Sequence, residues 1–150
     1  MRVWRPALPA APTGVHHPAL AVGRNPAQAA AVRIEILNTG TELLLGNTLN
    51  THGAWFGKEL FKLGLRITRQ TTVPDGEAIR DALAEAVGRA DAVIVTGGLG
   101  PTSDDLTREI TAEVLGADLI TDEAAVRSLE AFFAIRGKAM AESNLKQALV

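Results

Sequence analysis

Cysteine is absent from this 150-residue chain. That excludes disulfides, thiolate zinc sites and a cysteine nucleophile. It also fits a reducing compartment, so a cytoplasmic location is expected. No apolar run approaches the roughly 20 residues that a helix needs to span a bilayer, and no membrane partner is expected. An excess of positive charge is missing too. Fifteen Lys and Arg stand against 17 Asp and Glu, a net charge of −2, which leaves nucleic acid no electrostatic footprint. Lysine is lacking between Lys62 and Lys138, the stretch that holds the glycine cluster Gly97, Gly98 and Gly100. What is present is ordinary: 47% hydrophobic and 21% charged residues, enough for one core in one domain.

Five of the seven prolines (Pro6, Pro9, Pro12, Pro18, Pro26) precede Ala30, and the first acidic residue is Glu35. Residues 1–30, rich in Pro and Ala, show no sustained apolar periodicity and read as a disordered tail. A secretory signal needs a longer apolar core than this tail offers. The adjacent His16 and His17 fall inside it and read as incidental in preference to a metal site.

From Val32 the pattern becomes regular. Val32–Leu37 is a β-branched run, expected as the first strand, and Thr39-Gly40-Thr41-Glu42 follows as a turn. Leu49, Gly53, Phe56, Leu60 and Leu63 recur at helical spacing, and Gly64 marks a helix stop. Leu65, Ile67, Arg69, Thr71 and Val73 alternate on one face of a second strand. Asp75 then stands near the N-cap of a helix carrying Ile79, Leu83 and Ala86. Ala92–Val95 is a continuous apolar run, as in a strand covered on both faces. Further helices are expected over about Asp104–Leu115 and Asp122–Arg136, with an unfinished helical pattern over Asn144–Leu149. Strands separated by such helices imply parallel βαβ units, an α/β fold with a doubly wound, mostly parallel sheet. Three strands make a thin sheet, so further strands are expected after Val150.

In open parallel sheets ligands bind at the carboxyl ends of the strands. Thr39–Glu42, Val73–Asp75 and Thr96–Asp105 all arrive there. Gly97, Gly98 and Gly100 let backbone approach a ligand, and a helix starting near Asp104 would aim free N–H groups at an anion. Thr102 and Ser103 could cap that helix or donate to a phosphate. A Walker loop needs a lysine that is not there. A dinucleotide fingerprint needs a third glycine where Ser103 stands, after the first strand instead of the third. Four carboxylates, Glu42, Asp75, Asp104 and Asp105, are expected to converge on this loop. They would repel a phosphate unless a hard cation lies between, so Mg²⁺ or another divalent metal is the natural cofactor, with Asp105 and Glu42 as ligands. Plain structural roles compete: Asp75 as an N-cap, Asp104 as a first-turn acid, Trp55 and Phe56 as packing. His52 is a lone histidine in the first turns of a helix.

The segments Gly40-Thr41-Glu42-Leu43-Leu44-Leu45-Gly46, Asn50-Thr51 and Gly97-Gly98-Leu99-Gly100-Pro101-Thr102-Ser103-Asp104-Asp105-Leu106-Thr107 resemble the N-terminal domain of the competence/damage-inducible protein A (CinA) family, within the wider MoaB/Mog molybdopterin-binding group. The likeness runs from about Val32 to Val150. It implies a three-layer α/β/α fold over 31–150 with the ligand across the strand ends. In the molybdenum-cofactor enzymes of the group, Mg²⁺-dependent adenylyl transfer to molybdopterin uses an aspartate matched here by Asp105 and a second matched by Asp75. The CinA branch is associated with metal-dependent ADP-ribose pyrophosphatase activity, often beside a nicotinamide-mononucleotide deamidase domain of which nothing is present here. The closing Asn144-Leu145-Lys146-Gln147-Ala148-Leu149-Val150 is similar to the segment before the family's next strand, so a fragment is expected. One departure is His52, where the family usually has asparagine.

Three readings follow. In the first, Glu42, Asp75 and Asp105 position metal and water for hydrolysis of a phosphoanhydride, while Gly40, Thr41, Asn50, Gly97, Gly98, Gly100, Pro101, Thr102, Ser103 and Asp104 bind a small phosphorylated ligand. In the second, the domain holds molybdopterin without turning it over. In the third, an incomplete chain has no competent site, and its open sheet edge favours a homo-oligomer.

Overall fold

The computed structural model describes residues 32–150. The expected tail, with His16 and His17, lies outside the described residues. Elements follow in the order β1 (Ile34–Thr39), α1 (Thr41–Leu44), α2 (Thr51–Lys62), β2 (Ile67–Val73), α3 (Ala78–Arg89), β3 (Ala92–Thr96), α4 (Thr107–Leu115) and α5 (Glu123–Ile135), closed by a 3-10 helix over Glu142–Ala148. The three strands form one parallel sheet in the order β2-β1-β3. β1 is central, and all six of its residues are buried. It begins two residues later than the β-branched run suggests and extends through Asn38 and Thr39, because pairing on both sides satisfies two polar residues that propensity alone would leave in a turn.

Helices cover both sheet faces. Leu37 on β1 packs with Ile79 and Leu83 of α3 and Ile110 of α4, joined by Val73, Val93 and Val95. The opposite face meets α2, whose Gly53 lies against the Gln70 side chain and whose Gly57 approaches Ile67. This is the expected α/β/α arrangement. The expected alternation along β2 fails at one point. Ile34 pairs with Ile67 but Glu35 pairs with Arg69, so Thr68 is an extra residue. Its hydroxyl donates to the Ile34 carbonyl at 2.9 Å. The bulge turns Ile67 to the α2 face while Arg69, Thr71 and Val73 stay on the α3 face.

Two buried polar residues of β1 tune this sheet. Glu35 receives both guanidinium arms of Arg89 at 2.8 Å, with Arg69 at 3.9 Å. Nearer the site, fully buried Asn38 donates to the Thr71 carbonyl at 3.2 Å and accepts from the Thr96 hydroxyl at 3.1 Å. One amide thus ties the carboxyl ends of all three strands together.

α5 is capped by the Asp122 carboxylate, which accepts from the Ala124 and Ala125 amides. The predicted helical end of the chain is a 3-10 helix. After it, Leu149 makes an isolated antiparallel bridge to Thr121, and Ile120 and Val150 exchange backbone hydrogen bonds at 2.9 Å.

Candidate ligand site at the strand ends

The carboxyl ends of β1, β2 and β3 bring together the three expected segments, each held differently from what local sequence suggests. After β1, Gly40 donates its amide to the Val73 carbonyl at 3.1 Å. From its sequence position Asp75 is a candidate N-cap of α3. Instead the N-cap of α3 is Glu77, without a side-chain bond, and Asp75 Oδ2 accepts from the Thr41 amide at 2.9 Å and the Thr41 hydroxyl at 3.1 Å. The aspartate therefore clamps the β1 turn to the β2 turn. Pro74 and Gly76 delay α3 to Ala78, which leaves Asp75 too far from its first turn to cap it.

The glycine loop leaves β3 with Gly97 and Gly98 at φ of 96° and 58°. A Cβ at Gly97 would collide with the Thr39 carbonyl, and one at Gly98 with the Thr107 hydroxyl. Only glycine fits a loop pressed this closely onto β1 and α4. Thr39 and Thr107 are buried beneath it, their hydroxyls 3.4 Å apart.

The helix expected from Asp104 begins at Thr107 instead, with Leu106 as N-cap and no side-chain cap. The preceding turn is closed by Asp105, whose Oδ2 accepts from the Thr102 amide at 3.0 Å and the Thr102 hydroxyl at 2.5 Å. That carboxylate satisfies Thr102 in a non-helical turn, so the helix cannot start there. The Thr107 amide is taken by the Gly98 carbonyl at 3.2 Å. The loop is thus stitched to the helix, and the expected fan of free helix N–H groups is reduced. The Thr102 hydroxyl above all, then the Gly100 and Thr102 amides and the Lys146 charge, hold the Asp105 carboxyl below its usual range against partial burial.

Two hollows open at this end. One, of about 410 Å³, is lined by Thr41, Asp75, Gly76, Ser103, Asp104 and Leu106. The other, of about 160 Å³, is lined by residues that include Thr39, Glu42, Asn50, His52, Thr96 and Gly97. The four expected carboxylates therefore do not form one cluster. Asp75 and Asp104 share the larger hollow, and Glu42 faces the smaller. Asp105 lines neither of them and is engaged within its own turn. Ser103 donates to Asp104 Oδ1 at 3.2 Å. Asn50 caps α2 through the Gly53 amide at 3.0 Å, so its side chain already serves the fold. Pro101 is half-buried and directly precedes the Thr102–Asp105 turn. Among the described residues no group of three or more His, Cys, Asp or Glu could hold a metal.

Two cations escaped the sequence reading. Arg108 donates to the Leu99 carbonyl at 2.7 Å, and Lys146 to the Thr102 carbonyl at 3.0 Å. Lys146 lies 44 residues from its partner, a distance across which no spacing rule operates. Farther along α4, an apolar groove of about 370 Å³ runs past Val95, Leu115 and Leu149. Among the described residues no helix is long and apolar enough to cross a membrane.

Comparison with known proteins agrees with this fold. Residues 35–148 match the family described as "Probable molybdopterin binding domain". A CinA-like protein of Akkermansia muciniphila is 53% identical over 119 residues, which cover 79% of this chain and 29% of the relative. A CinA-like protein of Dictyoglomus thermophilum is 46% identical over 120 residues, with the same two shares. The chain thus spans less than a third of the length of these relatives. Among solved structures, CinA of Thermoplasma acidophilum superposes with a TM-score of 0.70 at 33% identity, over 79% of this chain and 70% of that one. The molybdopterin biosynthesis Mog protein of Mycobacterium ulcerans shares the fold at a TM-score of 0.56 and 23% identity, over 79% and 75%. The chain belongs to the molybdopterin-binding-domain family, and within it to the CinA-like proteins.

Proposed function

We propose that this domain binds a phosphorylated pterin or nucleotide at the strand ends and, with a divalent metal present, hydrolyses a phosphoanhydride of the ADP-ribose type. The observation that carries this reading is the 410 Å³ hollow, where two carboxylates, two hydroxyl-bearing residues and a glycine backbone meet one apolar wall, Leu106. Such a lining suits a small polar ligand with an apolar ring. The adjoining 160 Å³ hollow, with Glu42, Asn50 and His52, offers hydrogen-bonding groups for the part of the ligand away from the phosphates.

The donor set bears on the metal. A pair of carboxylates without a third ligand is no resident cage, but it suits Mg²⁺, which typically takes one or two carboxylates and completes its shell with phosphates and water. Asp75 and Asp104 would hold such an ion, and when bound it would neutralise charge on the phosphate oxygens. This moves the metal role away from Asp105 and Glu42. Asp105 keeps the Thr102 turn in shape, and Glu42 orients the ligand. Ser103 offers its hydroxyl to phosphate from the wall of the hollow, Thr102 shapes the turn through its bond to Asp105, and the Gly97–Gly100 backbone lets the ligand approach. A cytoplasmic location and a free small-molecule ligand belong to the same reading.

The test incubates the chain with ADP-ribose and Mg²⁺ or Mn²⁺ and separates products by chromatography. AMP and ribose 5-phosphate should form, and Asp104→Asn should abolish them. Saturable, metal-dependent binding with no product would favour the second reading, a module that holds molybdopterin, which the family match itself supports. Neither binding nor turnover would overturn both.

A further inference from the structure

Lys146 reaches the glycine loop from the far end of the chain. It sits in the closing 3-10 helix, and its Nζ donates to the Thr102 carbonyl at 3.0 Å while lying 3.2 Å from Glu109 Oε1. Its side chain is 20% exposed, whereas that of Lys62, in a surface pair, is 66% exposed. Surface lysine pairs are weak because a long side chain must be immobilised in water. Lys146 is already packed, with two acceptors in defined places. Its acceptor on the loop belongs to Thr102, the residue whose amide and hydroxyl are taken by Asp105. Asp105 thus pins the donors of Thr102, and Lys146 pins its carbonyl from outside the turn, at a shorter distance than the Asp105 amide at 3.3 Å, so the turn bearing Ser103 and Asp104 is held from both sides.

We infer that Lys146 is a positioning residue of the ligand site: it fixes the Pro101–Asp105 turn so that Ser103 and Asp104 line the cleft, and it brings the loop a positive charge that the loop's own sequence lacks. The inference rests on the reading of that cleft as the ligand site. Arg108 braces the other arm of the loop at Leu99, so the two cations are not redundant.

The test uses the full chain as wild type, Lys146→Met and Lys146→Arg. Hydrogen exchange of the Thr102 amide is followed by NMR without ligand, and the dissociation constant for ADP-ribose with Mg²⁺ by calorimetry. In Lys146→Met, Thr102 exchange should quicken about tenfold and affinity should fall about tenfold, the effect of one lost hydrogen bond to a charged group. Lys146→Arg should restore both, and β1 amides should stay protected throughout. If β1 protection is lost in Lys146→Met, Lys146→Gln takes its place. Unchanged Thr102 exchange in a folded variant would overturn the inference, as would a loosened turn with undiminished affinity. A wild type that binds no ADP-ribose would instead overturn the functional reading, since Thr102 exchange is measured without ligand.

Discussion

At the scale of single residues, two positions carry consequences that can be measured directly. Glu35 is buried among cations, and its carboxyl is held below the ordinary glutamate value of 4.5, chiefly by the Arg89 hydrogen bonds. A carboxyl lowered in the folded state adds stability that is complete above 4.5 and is lost as pH falls through its folded value. Chemical denaturation should therefore show stability declining below about pH 4.5. Glu35→Gln should lack that component and be less stable at pH 7 by about 1–2 kcal/mol, the cost of losing hydrogen bonds to a charged group whose arginine partner stays partly solvated and paired with Glu85. Equal acid sensitivity in wild type and variant would assign the decline to other groups. The second position is Gly98. Gly98→Ala puts a Cβ onto the Thr107 hydroxyl at a left-handed φ of 58°. It should cost about 1–3 kcal/mol and displace the loop. An alanine variant with wild-type melting temperature and wild-type ligand affinity would show that the loop does not need this approach.

At the scale of elements, the sequence pattern made the order of strands and helices plain, because periods of 2 and 3.6 are local properties. Boundaries were harder to read where a partner far along the chain decides them. β1 runs on through Asn38 because its side-chain amide donates to the Thr71 carbonyl and accepts from the Thr96 hydroxyl, and the bulge at Thr68 follows from the β1 register, which nothing within β2 announces. The start of α4 is displaced for a related reason: Asp105 accepts from Thr102 behind it, and Leu106 takes the N-cap position. Asp75 gives the sharpest case, since an aspartate just before an amphipathic run looks like an N-cap while its partner Thr41 is 34 residues away. Asp75→Ala should thus speed exchange of the Thr41 amide and leave the first turn of α3 unchanged. Faster exchange at Ala78–Ala82 instead would restore the capping role.

At the scale of the whole molecule, a parallel sheet with β1 at its centre delivers three turns to one end, and the third, the glycine loop, presses onto Thr39 of β1 and Thr107 of α4. The glycine motif and its location at the strand ends were legible in sequence. The division of the acids between two hollows was not, since it depends on how the loops fold against one another. Nor were the cations Arg108 and Lys146, which reach the loop carbonyls of Leu99 and Thr102 from other elements. The apolar groove past Val95, Leu115 and Leu149 offers a competing location for a ligand. The account is tested most directly by mapping amide chemical shifts of the labelled chain during titration with ADP-ribose and Mg²⁺. It predicts saturating shifts at Thr41, Gly76, Ser103 and Asp104 with Leu115 and Leu149 unaffected. Shifts centred on Leu115 and Leu149, or none anywhere at saturating ligand, would contradict it.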